Sequence, residues 1–219
     1  MTAIEVWWGS LDREPPRDWQ TVLDPEEIAA LGALRQPTER ERRLVARYFL
    51  RDALARHIGV RADCLRFEGQ PGGKPFLREP VGSGVEFSLS HSGRWAVLAL
   101  ASATPVGIDL EWVDPRLRWR ALADSLLDQT QVAAVRAMPE PERLRFLLQL
   151  WTRREAVAKA TGRGLAAAAA GEASRRTAET SPVIRDLTAP QDYLAALAAI
   201  CPEPIRVVEH HWSGPVPKV

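Results

Sequence analysis

Two carboxylates stand two residues apart in Gly107-Ile108-Asp109-Leu110-Glu111. In a strand, positions two apart share a face, so Asp109 and Glu111 point one way while Ile108 and Leu110 point into a core. Parallel carboxylates repel unless a cation or basic group lies between them. Mg2+ suits such a pair, because it takes hard oxygen ligands and is held by one or two carboxylates plus substrate phosphates. The plainer alternative is the polar side of an edge strand. A second constellation is Trp151, Glu155 and Lys159, spaced by four and so on one helix face. A bare Glu–Lys pair at that spacing contributes only about 0.2–0.5 kcal/mol, but the tryptophan places this pair beside a buried aromatic. Ser90-His91-Ser92 offers two hydroxyls and an imidazole to a phosphate. Arg43, Arg47 and Arg51 share one helix face and Arg42 points to the other side; for at least two of them a solvated basic face is expected.

These residues need elements to hold them. Ile4 to Trp8 alternates like a strand. Asp24 and Pro25 open a short helix as N-cap and first helical residue. Thr38 to Glu41 reads as a capping box that starts a long helix, ending near His57 with Gly59 as the stop. A short strand is expected around Leu65 to Phe67. Gly69 to Pro75 holds three glycines and two prolines and reads as a loop ending at Lys74. Val85 to Leu89, Trp95 to Ala101 and Val106 to Trp112 read as strands, with Ser90 to Gly93 as a turn. Helices follow at Leu117 to Leu127, Gln129 to Met138 and Pro141 to Thr161. The alanine run Ala166 to Ala170 reads as a loose connection. Late strands are expected near Tyr193 to Ile200, which would also suit a helix, and at Ile205 to His211.

The 219 residues are 46% hydrophobic and 26% charged, with a net charge of +1. That composition describes a folded chain rather than a disordered one. The charge balance lacks the basic excess of a dedicated nucleic-acid binder. No apolar run reaches the 18 or more residues of a membrane span, and Met1 to Glu5 does not resemble a secretory leader. Cys64 and Cys201 are far apart, with no zinc-ligand spacing, so free thiols in a cytoplasmic setting are expected. No nucleophile elbow, P-loop or dinucleotide fingerprint occurs.

Taken in order, Gly73-Lys74-Pro75, Phe87-Ser88-Leu89-Ser90-His91-Ser92, Gly107 to Glu111, and Trp151 to Lys159 with Gly162-Arg163-Gly164-Leu165 resemble the 4′-phosphopantetheinyl transferases of the surfactin-synthetase-activating type. That family carries GKP, F(N)xSHS, (V)GIDxE and WxxKExxxKxxGxGL in the same order. The resemblance implies transfer of the phosphopantetheine arm of coenzyme A to a serine of an apo acyl or peptidyl carrier protein, with release of 3′,5′-ADP. It implies an α+β fold of two pseudo-symmetric lobes, here 1–104 and 105–219, with the site in the cleft between them. It places Mg2+ on Asp109, Glu111 and Glu155, and the general base at Glu155. Lys159 and His91 would neutralise charge on the pyrophosphate. Lys74, Ser90, His91, Arg154, Lys159, Arg42 and Arg47 would bind coenzyme A, and a monomer is expected. Arg154 and Ser88 depart from the family's usual Lys and Asn. The short helix, with Glu26-Glu27, lacks the family's lysines for the 3′-phosphate, which turns that contact toward Arg42 alone or toward Arg35. The alternative is a non-catalytic relative that binds coenzyme A or a carrier protein.

Overall fold

The computed structural model describes residues 1–69, 74–162, 181–202 and 204–214. Gly73, Arg163, Gly164, Leu165 and the alanine run 166–170 lie outside these residues.

Two long helices and two sheets stack as helix, sheet, sheet, helix. The first sheet has the order β4 (Val85–Ser92), β5 (Trp95–Ser102), β1 (Thr2–Ser10), β9 (Ile205–His211). The β4, β5 and β1 neighbours run antiparallel, and β9 runs parallel to β1. The second sheet is antiparallel, in the order β6 (Val106–Trp112), β8 (Tyr193–Ala199), β7 (Val183–Leu187). A small hairpin pairs β2 (Arg66–Glu68) with β3 (Phe76–Glu79). Helices α1 (Trp19–Val22), α2 (Pro25–Gly32) and α3 (Pro37–Ile58) serve the first lobe; α4 (Trp119–Leu126), α5 (Gln129–Arg136) and α6 (Glu140–Thr161) serve the second. The fold is α+β with two lobes, and the long helices α3 and α6 correspond. Each has 22 residues and ends at a left-handed glycine, Gly59 or Gly162.

Alternation along the strands explains the stacking. Ile4, Val6 and Trp8 of β1, Val97 and Ala99 of β5, Ile108 and Leu110 of β6 and Leu197 of β8 meet in one core between the sheets. The opposite face of the first sheet, with Phe87, Leu98 and Leu100, packs on Val45, Phe49 and Leu54 of α3. Behind the second sheet, Ala196 and Ala198 meet Ala156 and Ala160 of α6. Both faces of β8 are thus covered, which is why its near-continuous apolar run forms a buried strand and not a helix.

Several expectations change. Ser90 to Ser92 is the end of β4, and the turn comes only at Gly93, where φ is 54°. The long helix starts at Pro37, whose ring presets helical φ, so Thr38 lies inside the first turn and makes no cap bond. Residues 205–211 fall in the second lobe of a division at 104, yet β9 completes the first lobe's sheet. Arg51 is not solvated. It is 0% exposed and donates to Asp24 Oδ2 at 2.5 Å, Glu27 Oε2 at 2.9 Å and the Ala62 and Leu65 carbonyls. The acids that open α2 are therefore also the anchor that ties it to α3. Losing one partner of so buried a pair costs about 3–5 kcal/mol.

Candidate active site

Gly107 sets the distance between β6 and α6. A Cβ at this position would lie 2.0 Å from the Ala156 carbonyl oxygen and 2.4 Å from the Ala160 amide nitrogen. Only glycine lets the helix backbone settle on the strand, and the alanines at 156 and 160 keep the helix side equally thin. The helix face one position away then lies directly over Asp109 and Glu111, which share Gly107's face of the strand.

Asp109 is 4% exposed. Its Oδ1 accepts from Lys159 Nζ at 2.7 Å and from Ser90 Oγ at 2.9 Å. Its Oδ2 is buried with no hydrogen-bond partner among the described residues. Glu111 Oε1 accepts from the Trp151 indole at 3.1 Å, and Oε2 lies 3.3 Å from Ser92 Oγ. Glu155 stands between Trp151 and Lys159 on the same helix face, half-buried, with no hydrogen bond to its carboxylate among the described residues. Burial pushes the pKa of all three carboxyls up; Asp109 pushes Glu111 and Glu155 further in the same direction, and Lys159 opposes the rise. The helical spacing of Trp151, Glu155 and Lys159 thus delivers what its pattern promises: an indole, a carboxylate and an ammonium above the two strand carboxylates.

The first lobe reaches this site through β4. Its serines at 88, 90 and 92 share one face and bridge to β6 by side chain, with no backbone ladder between the two strands. Ser88 Oγ accepts the Ile108 N–H at 3.1 Å, and Ser92 Oγ accepts the Trp112 N–H at 3.0 Å. Ser90 accepts from Lys159 at 3.1 Å while donating to Asp109. A serine at 88 therefore has its own structural reason, since its short hydroxyl satisfies a buried amide.

His91 lies on the opposite face of β4, toward α3. Burial first, then the Arg43 charge, push its imidazole down to about 4; Lys159 and Arg47 act in the same sense and Glu39 against it. His91 is held neutral chiefly by burial, and the Arg43, Lys159 and Arg47 charges around it favour an anion beside it. Arg47 is half-buried with no ion-pair or hydrogen-bond partner among the described residues. Arg43 pairs with Glu39 at 2.7 Å.

Three expected contributors are engaged elsewhere. Arg42 donates both Nε and a terminal nitrogen to Asp12 Oδ1, at 3.0 and 2.7 Å. Arg154 donates to the Leu126 carbonyl that closes α4, at 2.7 Å, rather than to any of the three carboxylates. Lys74 donates to the Val106 carbonyl at 2.9 Å and lies 3.6 Å from Glu86, and burial lowers its pKa. It lines a cleft of about 890 Å3 with Phe76, Glu86, Pro105 and Thr161. That cleft opens at the start of β6, whereas the carboxylates stand toward its end.

Two family models match the chain. One, described as the 4′-phosphopantetheinyl transferase superfamily, covers residues 105–197. The other, described as 4′-phosphopantetheinyl transferase, N-terminal, covers residues 15–103. The 4′-phosphopantetheinyl transferase HetI of Nostoc sp. is 30% identical over 166 residues, which are 74% of this chain and 70% of HetI. The chain belongs to the 4′-phosphopantetheinyl transferase superfamily. Its class is that of a transferase enzyme. Sfp of Bacillus subtilis is 26% identical over 71% of this chain and 67% of its own length. A relative in Synechocystis sp. is 30% identical over 74% of this chain and 65% of its own length. The chain thus spans about two thirds of the length of these curated relatives. The second-lobe match contains Asp109, Glu111, Glu155 and Lys159, and the first-lobe match contains Ser90 and His91. The two matched segments meet at the β4–β6 seam, where these side chains come together. Gly107 and Ser88 are site builders that residue types alone leave unassigned, and Ser92, read from the sequence as a hydroxyl for a phosphate, has the Trp112 amide and the Glu111 carboxylate as its neighbours. The signal that could have found the serines is their period of two beside the period of two in β6.

Proposed function

We propose that this chain transfers the 4′-phosphopantetheine arm of coenzyme A to a serine hydroxyl of an apo acyl or peptidyl carrier protein, releasing 3′,5′-ADP. It does so as a monomeric, cytoplasmic member of the surfactin-synthetase-activating type. The observation that carries this reading is the buried, unpartnered Oδ2 of Asp109 beneath two further carboxylates and one lysine. An unsatisfied buried oxygen costs about 1–3 kcal/mol, and burial raises the pKa of all three carboxyls, with the Asp109 charge raising Glu111 and Glu155 further, so a cation among them is favoured.

That donor set fits Mg2+. All the oxygens are hard ligands, but among the described residues no three His, Cys, Asp or Glu side chains are gathered closely enough to hold an ion by themselves. An open set suits an ion that completes its shell with water and substrate phosphates. Asp109, Glu111 and Glu155 would hold it. When bound, it supplies Lewis-acid contact to phosphate oxygens.

The chain's own groups account for the rest. In the transfer, the serine oxygen bonds to the phosphorus that bears the pantetheine arm. The bond from that phosphorus to the oxygen leaving with 3′,5′-ADP breaks. Glu155, without a hydrogen bond among the described residues and raised in pKa by burial first, takes the serine proton. Lys159 spends its three donors on Ser90, Asp109 and the Ile108 carbonyl, and it exchanges one of them for a phosphate oxygen. His91 and Arg47 face the 3′-phosphate from β4 and α3. Phosphoryl transfer asks for this kind of positioning and charge neutralisation more than for covalent help.

Glu155→Gln keeps shape while removing the base and one anionic ligand. It should bind coenzyme A by calorimetry and lose at least about 10²-fold in transfer rate, the scale of a lost general base. Near-normal turnover would remove Glu155 from both roles.

A further inference from the structure

We infer that Ser92 is a positioning residue for Glu111, and that Tyr193 seats the hairpin tip that carries it. The inference rests on the reading of Glu111 as a cation ligand.

Ser92 Oγ has two close neighbours of opposite kind. It accepts the Trp112 N–H at 3.0 Å and lies 3.3 Å from Glu111 Oε2. With an amide on its lone pair, its own proton is left for the carboxylate. At 3.3 Å this is long for an O–H···O bond, so its contribution is directional. The other Glu111 oxygen takes the Trp151 N–H from α6. The carboxylate is thereby held from both lobes, one oxygen each, and a carboxylate fixed at both oxygens cannot swing away from Asp109.

The hairpin tip is clasped where it needs to be. Trp112 and Tyr193 are register partners in β6 and β8. Trp112 donates its amide to Ser92, and Tyr193 Oη accepts the Arg94 N–H at 3.0 Å. Gly93 between them has φ 54°, and a Cβ there would come within 2.5 Å of Tyr193 Oη. The tip of the first sheet therefore sits on two adjacent residues of the second, with no room for a side chain between. Neither Ser92 nor Tyr193 is among the groups assigned above to coenzyme A or the cation.

The test measures half-saturating Mg2+ for holo-carrier formation, and Mg2+ binding to the protein–coenzyme A complex by calorimetry, in Ser92→Ala, Ser92→Thr, Glu111→Ala and the Ser92→Ala/Glu111→Ala double variant. Ser92→Ala should weaken Mg2+ in both readouts by about three- to tenfold, a size common for coupled neighbours, with KM for coenzyme A unchanged. Ser92→Thr should restore it to within about twofold, since the hydroxyl returns. In the Glu111→Ala background, Ser92→Ala should add nothing. Should Ser92→Ala not fold, Tyr193→Phe carries the same test, with a shift in the same direction. If Glu111→Ala leaves Mg2+ dependence unmoved, the ligand reading itself is wrong and the inference goes with it. If Glu111→Ala moves it but Ser92→Ala does not, or exerts its full effect in the absence of Glu111, the positioning role is overturned and the ligand reading stands.

Discussion

Replacing Gly107 by alanine should separate the cost of the fold from the cost to the reaction. The added Cβ would stand 2.0 Å from the Ala156 carbonyl oxygen and 2.4 Å from the Ala160 nitrogen, both backbone atoms. A carbon and a carbonyl oxygen settle at about 3.3–3.6 Å, so α6 must retreat by roughly 1 Å or more. Overpacking of this kind costs about 1–3 kcal/mol. The helix carries Trp151, Glu155 and Lys159, and a displacement of about 1 Å at a reacting centre can cost 10²-fold in rate. Urea denaturation should report the stability loss, and steady-state holo-carrier formation should report a drop in kcat near a hundredfold. Gly59→Ala is the control: φ is 80° there and nothing lies within 4 Å of the added methyl. Its backbone strain costs about 1–2 kcal/mol and should leave kcat alone. If Gly107→Ala keeps the kcat of Gly59→Ala at matched stability, the close approach of α6 does not position the chemistry.

Two further predictions concern the anion side of the cleft. A charge-assisted hydrogen bond contributes about 1.5–3 kcal/mol, so Arg47→Ala should weaken coenzyme A binding by about one to two decades and leave dephospho-coenzyme A, which lacks the 3′-phosphate, unaffected. Arg42→Ala, which breaks only the Asp12 pair, should bind both as wild type does; calorimetry with the two ligands reads the difference, and an Arg42 effect confined to the 3′-phosphate would reverse the assignment. The His91 pKa of about 4 lies below the ordinary histidine value of about 6.5, so between those pH values the unfolded chain binds the extra proton. Stability should therefore fall as pH drops through that window, by up to about 3 kcal/mol from this group. The raised carboxyls Asp109, Glu111 and Glu155 act in the opposite sense, gaining protons in the folded state as pH falls toward their raised values. Comparing denaturation of wild type and His91→Asn across pH 4 to 7 isolates the histidine; equal slopes would contradict its burial as a neutral ring.

Much of this arrangement is legible in residue order, because it depends on local period. The carboxylates of β6 and the Trp151, Glu155, Lys159 face of α6 follow from periods of two and four, and the strands and helices that carry them fall close to their expected bounds. What escapes is non-local. Ser90 to Ser92 carries turn-forming residue types, yet it continues β4, because its hydroxyls serve amides and carboxylates of a strand in another sheet. The parallel pairing of β9 with β1 has no local signature. Nor does the burial of Arg51, whose partners Asp24 and Glu27 already look fully employed as helix-opening residues. Strands β3 and β7 are short and carry charged residues, so their pattern is weak. Arg42 and Arg47 differ only in which neighbour the helix turns them toward, and that depends on Asp12, thirty residues away.

The central claim is that these two lobes close around coenzyme A and pass its phosphopantetheine arm to a carrier serine. Intact-mass measurement on a panel of apo carrier proteins, incubated with the enzyme, coenzyme A and Mg2+, tests it most directly. The account predicts that at least one carrier gains a single phosphopantetheine arm at its serine, that chelation stops the gain, and that Asp109→Ala slows it. Coenzyme A binding without any mass gain across fatty-acid, polyketide and peptide-synthetase carriers would contradict it.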